Sequence, residues 1–429
     1  MLAVLLLCFV VGIVIGLPIL FVIISSTIAP GFINPDFIGN IQYILRSIVG
    51  GGDNTSLLAC PCFILSGVIM SQGGISKKIF DVFAYILGRL PGGMPCCVVL
   101  TCLFYGAISG SGVATCAAVG SMTIPMLLEL GYKPRFVGSL VASASGLAII
   151  IPPSIPFILY GTATETSIGS LFVAGVIPGI VMSLCLMAYA VIYSKWKGED
   201  KARVDAVVNE LHKRSFWVIF KDSFWALLTP VILLGGIYSG VVTPTEVACI
   251  SVVYALIVSI FIYKTVSVKE IWGMLGDTSR QLAPLALMIA AAVAFGRILT
   301  LLRLPQTLAE FMSTNFQSKI TILLIINLML LVIGMFMDTG PALLIFAPML
   351  LPLTNALNVD PIHLGIIMTV NMAIGFISPP FGVTLFTASP MVKETPWDIG
   401  VTSLPFILAD IVALLVITFV PWFSLALVY

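Results

Sequence analysis

Charge is scarce in this chain. Of 429 residues only 9% are Asp, Glu, Lys or Arg, while 59% are hydrophobic and the mean hydropathy is +1.15. An ordinary globular domain carries about 25% charged residues. So few charges cannot solvate a water-soluble surface, which excludes a soluble globular protein and leaves a chain that lies mostly in membrane lipid. The balance of 20 basic and 19 acidic residues, a net charge of +1, provides no basic stripe, so nucleic-acid partners are excluded as well. Only two histidines occur, His212 and His363, and none of the nine cysteines has the C-x-x-C spacing of a zinc site. The cysteines read as small apolar packing residues. No Walker A sequence is present, so the chain does not itself hydrolyse ATP. The N-terminus lacks a basic n-region and a small-residue cleavage pattern, and it reads as a membrane segment that is retained.

What is abundant is long apolar sequence. Runs occupy approximately residues 1 to 28, 55 to 72, 94 to 109, 136 to 163, 171 to 194, 223 to 240, 245 to 263, 281 to 301, 320 to 337, 362 to 390 and 403 to 429. At about 20 residues per crossing these amount to about eleven transmembrane spans of an all-α polytopic membrane protein. Four pieces, 36 to 49, 76 to 90, 266 to 280 and 303 to 315, mix charge with apolar residues at helical spacing, as in Ile75, Ile79, Phe83 and Ile86. They are expected to be interfacial braces. Residues 195 to 222 form a charged inter-repeat loop with seven Lys or Arg and five Asp or Glu. The positive-inside bias places this loop in the cytoplasm.

The loop separates two copies of one pattern, 1 to 194 and 223 to 429. A shift of 227 positions (379 − 152 = 227) sets Pro125 on Pro352, Pro134 on Pro361, Pro152 on Pro379, Pro153 on Pro380, Pro178 on Pro405 and Gly138 on Gly365. A repeat preserved mainly where the backbone is irregular marks a secondary transporter, with the broken segments at its binding site. An inverted repeat needs an odd number of crossings per copy; the runs give five, with 223 to 240 left without a partner.

Chemistry concentrates in four segments. The first copy has Gly106-Ala-Ile-Ser109-Gly110-Ser111-Gly112, expected as the tip of a re-entrant hairpin near 106 to 131. Glycine lets the backbone turn and expose carbonyls, and serine hydroxyls add oxygen ligands suited to Na⁺. A small-residue helix-packing seam is the other reading of the same residues. In the second copy Gly334-Met-Phe-Met-Asp338-Thr339-Gly340-Pro341 opens a hairpin near 334 to 358, with Asp338 falling on Ser111. A carboxylate between apolar halves suits cation coordination or a structural hydrogen bond to a neighbouring helix. Each hairpin precedes a helix broken by a proline pair: 136 to 163, with Ser145-Gly146 and Ile150-Ile151-Pro152-Pro153-Ser154, and 362 to 390, with Asn371, Gly375 and Ser378-Pro379-Pro380. Paired prolines free several carbonyls. A bound cation, water or another helix can take them up, and a plain proline kink is the simpler alternative. Asp410 is a second acid inside an apolar run. Gly50-Gly51-Gly52-Asp53 matches one half of an intramembrane aspartyl protease pattern, but no Tyr-Asp pair exists for the other half.

Taken together, Ser109-Gly-Ser111, Gly131-Tyr132, Ile151-Pro-Pro-Ser154, Tyr160-Gly161, Ile177-Pro-Gly179, Gly235-Gly236-Ile-Tyr-Ser-Gly240, Thr243-Pro-Thr-Glu246, Gly334-Met-x-Met-Asp338 and Pro379-Pro-x-Gly382 resemble the large membrane subunit of tripartite ATP-independent periplasmic (TRAP) transporters over essentially the whole chain. The resemblance implies a permease of the bacterial inner membrane, driven by a sodium gradient. Its implied partners are a separate small membrane subunit and a periplasmic substrate-binding protein that delivers an organic acid, of the sialic acid or C4-dicarboxylate class. It also implies elevator-type transport and scaffold domains.

Carried over, one sodium site involves Ser109, Ser111, Gly146 and the carbonyls near Ile150, and the other involves Asp338, Thr339, Gly375 and Ser378. Substrate contacts fall on Gly110, Ser154, Thr339, Gly340, Asn371 and Pro380. Thr115 and Cys116 follow the first tip where a number of relatives carry an acid. A stand-alone sodium-coupled carboxylate carrier or an ion antiporter of related fold is the alternative.

Overall fold

The N-terminal apolar run folds as two helices. In the computed structural model, which describes residues 1–34, 37, 39–316 and 318–429, α1 (Leu2–Val14) gives way to Gly16 at φ 80° and Pro18 then opens α2 (Ile19–Ile33). The two helices pack against each other. The expectation of one crossing at 1 to 28 is thereby corrected, because hydropathy averaging does not register a Gly-Leu-Pro reversal.

The first copy continues through α3 (Ile41–Gly52), α4 (Ala59–Gln72), α5 (Ile75–Leu87), α6 (Gly93–Ser109), α7 (Gly112–Glu129), α8 (Pro134–Ser145), α9 (Ile155–Thr164) and α10 (Ile168–Lys197). Of the brace expected at 36 to 49, residues 36 and 38 lie outside the described residues. The charged segment is largely helical: α11 (Lys201–His212) buries Val204 and Val208 and packs on α5. The second copy comprises α12 (Phe216–Tyr238), α13 (Pro244–Ile257), α14 (Glu270–Leu301), α15 (Leu304–Asn315), α16 (Lys319–Phe336), α17 (Thr339–Ala356), α18 (Pro361–Gly375), α19 (Val383–Val392) and α20 (Pro396–Phe419), followed by α21 (Trp422–Leu425).

The 227-residue shift carries Gly112–Glu129 onto Thr339–Ala356, so α7 and α17 correspond residue for residue. It also carries α1 onto the C-terminal part of α12, which supplies the partner that 223 to 240 lacked. Both α3 and α4 fall on α14, one helix of 32 residues. At about 1.5 Å per residue it is about 48 Å long, more than a bilayer core of about 30 Å. The segment 266 to 280 is therefore not a separate brace; from Glu270 onward it is the polar end of this helix. Packing is reciprocal between copies: α7 lies on α19 while α17 lies on α9, and α4 lies on α13 while α14 lies on α2.

Among the described residues nine helical segments are long and apolar enough to cross a membrane, fewer than the eleven runs. The difference is physical. The broken helices divide into pieces of 10 to 15 residues, and the run at 94 to 109 is the first leg of the hairpin, which starts at Gly93 rather than near residue 106. The second hairpin likewise starts at Lys319. Outward-facing Leu184, Leu328, Leu408 and Val412 are more than half exposed, as lipid-facing residues are. Trp196, Trp217, Trp272, Trp397 and Trp422 are exposed near helix ends, where indole rings suit the membrane interface.

One clasp fixes the first hairpin. The Glu199 carboxylate accepts from the backbone N–H of Gly92, just before α6, and from the Tyr132 hydroxyl at 2.9 Å, just after α7. Arg203 donates to the Glu129 carbonyl at 3.1 Å. Glu199→Ala is expected to lower stability by about 2 kcal/mol, since hydrogen bonds to a charged group contribute about 1.5–3 kcal/mol each. Thermal unfolding in detergent checks this.

Candidate functional site

The first hairpin turns at Gly110, which holds φ 60° and accepts no side chain easily: a Cβ there would lie 2.8 Å from the Pro153 carbonyl oxygen. Ser111 then caps α7, its hydroxyl accepting from the Ala114 N–H. Ser109 is buried and its hydroxyl lies 2.8 Å from that of Thr115. A Cβ on Gly112 would lie 3.3 Å from the Ser145 carbonyl and 3.0 Å from the Phe376 ring, so the tip is wedged between the two helix breaks. The breaks also meet each other, with the Ala373 carbonyl 3.2 Å from the Cβ position of Gly146.

In the second copy Asp338 caps α17, accepting from the Thr339 N–H at 2.8 Å. Behind it Gly375 presses on Gly334 backbone to backbone: a Cβ on Gly375 would lie 2.5 Å from the Gly334 carbonyl carbon. Gly375→Ala forces the two segments apart and is expected to cost about 1–3 kcal/mol, the range for overpacking. Thermal unfolding of the purified chain measures the loss.

Several carbonyls at the two helix breaks find hydroxyl partners. Ser154 donates to Ile149 at 2.6 Å, Thr384 to Phe376 at 2.9 Å and Ser403 to Ile377 at 3.2 Å. Ser378 donates to the Ile374 carbonyl at 2.7 Å, which leaves its lone pairs for another ligand. Ile150 turns away from the tip, because its carbonyl oxygen packs on Gly175 of α10.

A cavity of about 740 Å³ joins both tips. Ser109, Gly110 and Ser111 line it on one side, with Asp338, Thr339 and Gly340 on the other. Ser154, Gly146, Ile150, Asn371, Gly375, Ser378 and Pro380 are not among its lining residues. Asn371 in particular faces α16, donating to Asn327 at 2.8 Å, and Asn327 in turn donates to Thr418 of α20 at 3.1 Å. That chain is polar glue between three helices. The N-terminal residues of α7 (Gly112), α9 (Ile155) and α17 (Thr339) all border the cavity. The positive ends of the three helix dipoles there favour an anion.

Residues of α14, Asp277, Arg280 and Gln281, also line the cavity. Asp277 and Arg280 fall in the segment whose composition suits an interfacial brace, and Gln281 opens the apolar run that follows. Their position in the same helix as the apolar run from 281 was the available signal.

Broken helices around a central cavity, in two packed copies, define a multi-pass membrane permease of the secondary-transporter class. The sequence matches the family described as Tripartite ATP-independent periplasmic transporter, DctM component, over residues 1–423, and the chain belongs to that family. It is a transporter subunit and not an enzyme. It is 40% identical over 96% of its length to the isethionate TRAP transporter permease protein DctMQ of Oleidesulfovibrio alaskensis, and spans 63% of that relative. It is 39% identical to the C4-dicarboxylate TRAP transporter large permease protein DctM of Pseudomonas aeruginosa, covering 87% of this chain and 86% of that one. Its fold is similar to the YdaH transporter of Alcanivorax borkumensis, with a TM-score of 0.63, 16% identity and 99% of each chain covered.

Proposed function

We propose that this chain is the large permease subunit of a sodium-driven importer of organic acids in the bacterial inner membrane. It acts with a small membrane subunit and a periplasmic binding protein, and carries its cargo by an elevator motion of hairpins and broken helices arranged as an inverted repeat. The observation that carries this reading is the cavity bordered by three helix N-termini and by both hairpin tips. Helix N-termini suit an anion, and oxygen-rich tips suit a hard cation beside it, each charge lowering the cost of bringing the other out of water. C4-dicarboxylates and isethionate, the cargoes in the names of two relatives, are both small organic anions.

The residues fit Na⁺. The Thr339 hydroxyl is buried with no hydrogen-bond partner, as is the Ser143 hydroxyl in α8, and the Asp338 carboxylate stands beside Thr339 at the cavity. Sodium bound there supplies positive charge for the substrate anion. Asp338 and Thr339 would hold one ion and Ser109 and Ser111 the other, with Gly375 and Ser378 forming the backbone seat behind the first. Uptake by proteoliposomes holding both membrane subunits is expected to require the binding protein. Equal uptake by this chain alone overturns the tripartite assignment and favours a stand-alone carrier.

A further inference from the structure

We propose that Arg280 is the residue that receives the anionic head group of the substrate, and that it does so from α14, which packs against α17 beside the second tip. The inference rests on the reading of the cavity as an organic-acid site and deepens it. Among the described lining residues Arg280 is the only basic one. The three helix N-termini at the cavity supply partial positive charge, but among the described lining residues a full positive charge with a planar pair of donors comes from Arg280 alone.

Its guanidinium is nearly uncommitted. Among the described residues its one ion pair is with Asp277, a single Nη1 to Oδ1 approach of 3.9 Å at a spacing of three residues, and its side chain is 87% exposed. That distance is beyond a hydrogen bond, so the donors stay available for a carboxylate or sulfonate. The surrounding helix is shaped for the same purpose. Pro284 lies four residues after Arg280 and has no N–H, so the Arg280 carbonyl lacks its intrahelical partner. Gln281 adds an amide beside it, and both Pro284 and Gln281 line the cavity. The result is a polar notch, with a donor fork, an acceptor without its intrahelical partner and an amide, in a wall that also carries Asp277 and the apolar Leu285 and Met288. A small acid that also carries a hydroxyl can use the fork and the acceptor together, the hydroxyl donating to the carbonyl.

Asp277 is a resident competitor in this arrangement. It holds Arg280 weakly when the cavity is empty of anion and is displaced when a carboxylate or sulfonate binds in its place. Two substitutions therefore have opposite effects: Arg280→Gln weakens substrate binding, and Asp277→Asn strengthens it.

The test uses the complete complex in proteoliposomes, with the organic anion that the wild type accumulates from a panel of C4-dicarboxylates and isethionate. Arg280→Gln is expected to raise KM at least tenfold with the maximal rate held within about twofold and the sodium concentration for half-activation unchanged. Arg280→Lys is expected to fall between, since lysine keeps the charge and loses the fork. Asp277→Asn is expected to lower KM two- to fivefold, a direction that structural damage does not produce. A KM for Arg280→Gln within twofold of wild type, or a loss confined to the maximal rate, overturns the role of Arg280 while leaving the organic-acid reading intact. A wild type that accumulates none of the anions overturns both.

Discussion

Asp338→Asn is expected to raise the sodium concentration for half-activation of transport at least tenfold while leaving the fold intact. The two roles of this residue separate cleanly. As an N-cap it accepts the Thr339 N–H at 2.8 Å, and an asparagine oxygen does the same at nearly equal strength. In the proposed role as a cation ligand it would supply a full negative charge, which asparagine does not. Thermal stability in sodium-free buffer should therefore change by less than about 1 kcal/mol, whereas Asp338→Ala also loses the cap, worth about 1 kcal/mol. Sodium titrations of uptake and of thermal stability, measured on both variants, read the two roles apart. Unchanged sodium activation in Asp338→Asn removes this carboxylate from coupling.

Gly110→Val is expected to abolish transport, with a loss of at least a hundredfold, in a protein that still reaches the membrane. Two costs add at this position. A φ of 60° is strained for any side chain and worst for a β-branched one, and the new Cβ lies 2.8 Å from the Pro153 carbonyl oxygen, a backbone atom that cannot rotate away. The tip must lift from the first helix break, which parts Ser109 and Ser111 from the carbonyls around Ser145. Gly110→Ala carries the same clash with less bulk and should retain measurable uptake. Initial rates normalised to membrane content distinguish the two variants, and a wild-type rate in Gly110→Val contradicts the contact between tip and break.

The tips and breaks were legible because the residues that make them are chemically unusual for lipid. Ser111 and Asp338 are capping residues in the midst of apolar sequence, and paired prolines at 152 and 379 forbid continuous helix, so a single shift of 227 aligned α7 with α17 to the residue. Helix ends within apolar runs were less legible. The turn at Gly16 and the first leg starting at Gly93 leave the mean hydropathy of a window almost unchanged, so the runs do not coincide with the helices. Arg280 was missed for a different reason. Local composition around it matches a surface helix, and only the packing of α14 on α4 and α17 brings it to the cavity. Asn371 shows the converse: a polar residue in a broken helix looked available to substrate, while packing commits its amide to Asn327. Direction of a side chain around a helix axis depends on neighbours that a linear pattern does not specify.

In the proposed mechanism oxygen ligands at the two tips couple the downhill flow of Na⁺ to movement of an organic anion. The most direct measurement is accumulation of that anion by proteoliposomes holding both membrane subunits and supplied with the binding protein, under an inward Na⁺ gradient and under an equal K⁺ gradient. Accumulation above equilibrium is expected with Na⁺ only, collapsing when an ionophore dissipates the gradient. Equal accumulation under K⁺, or accumulation that survives dissipation of the Na⁺ gradient, contradicts that mechanism.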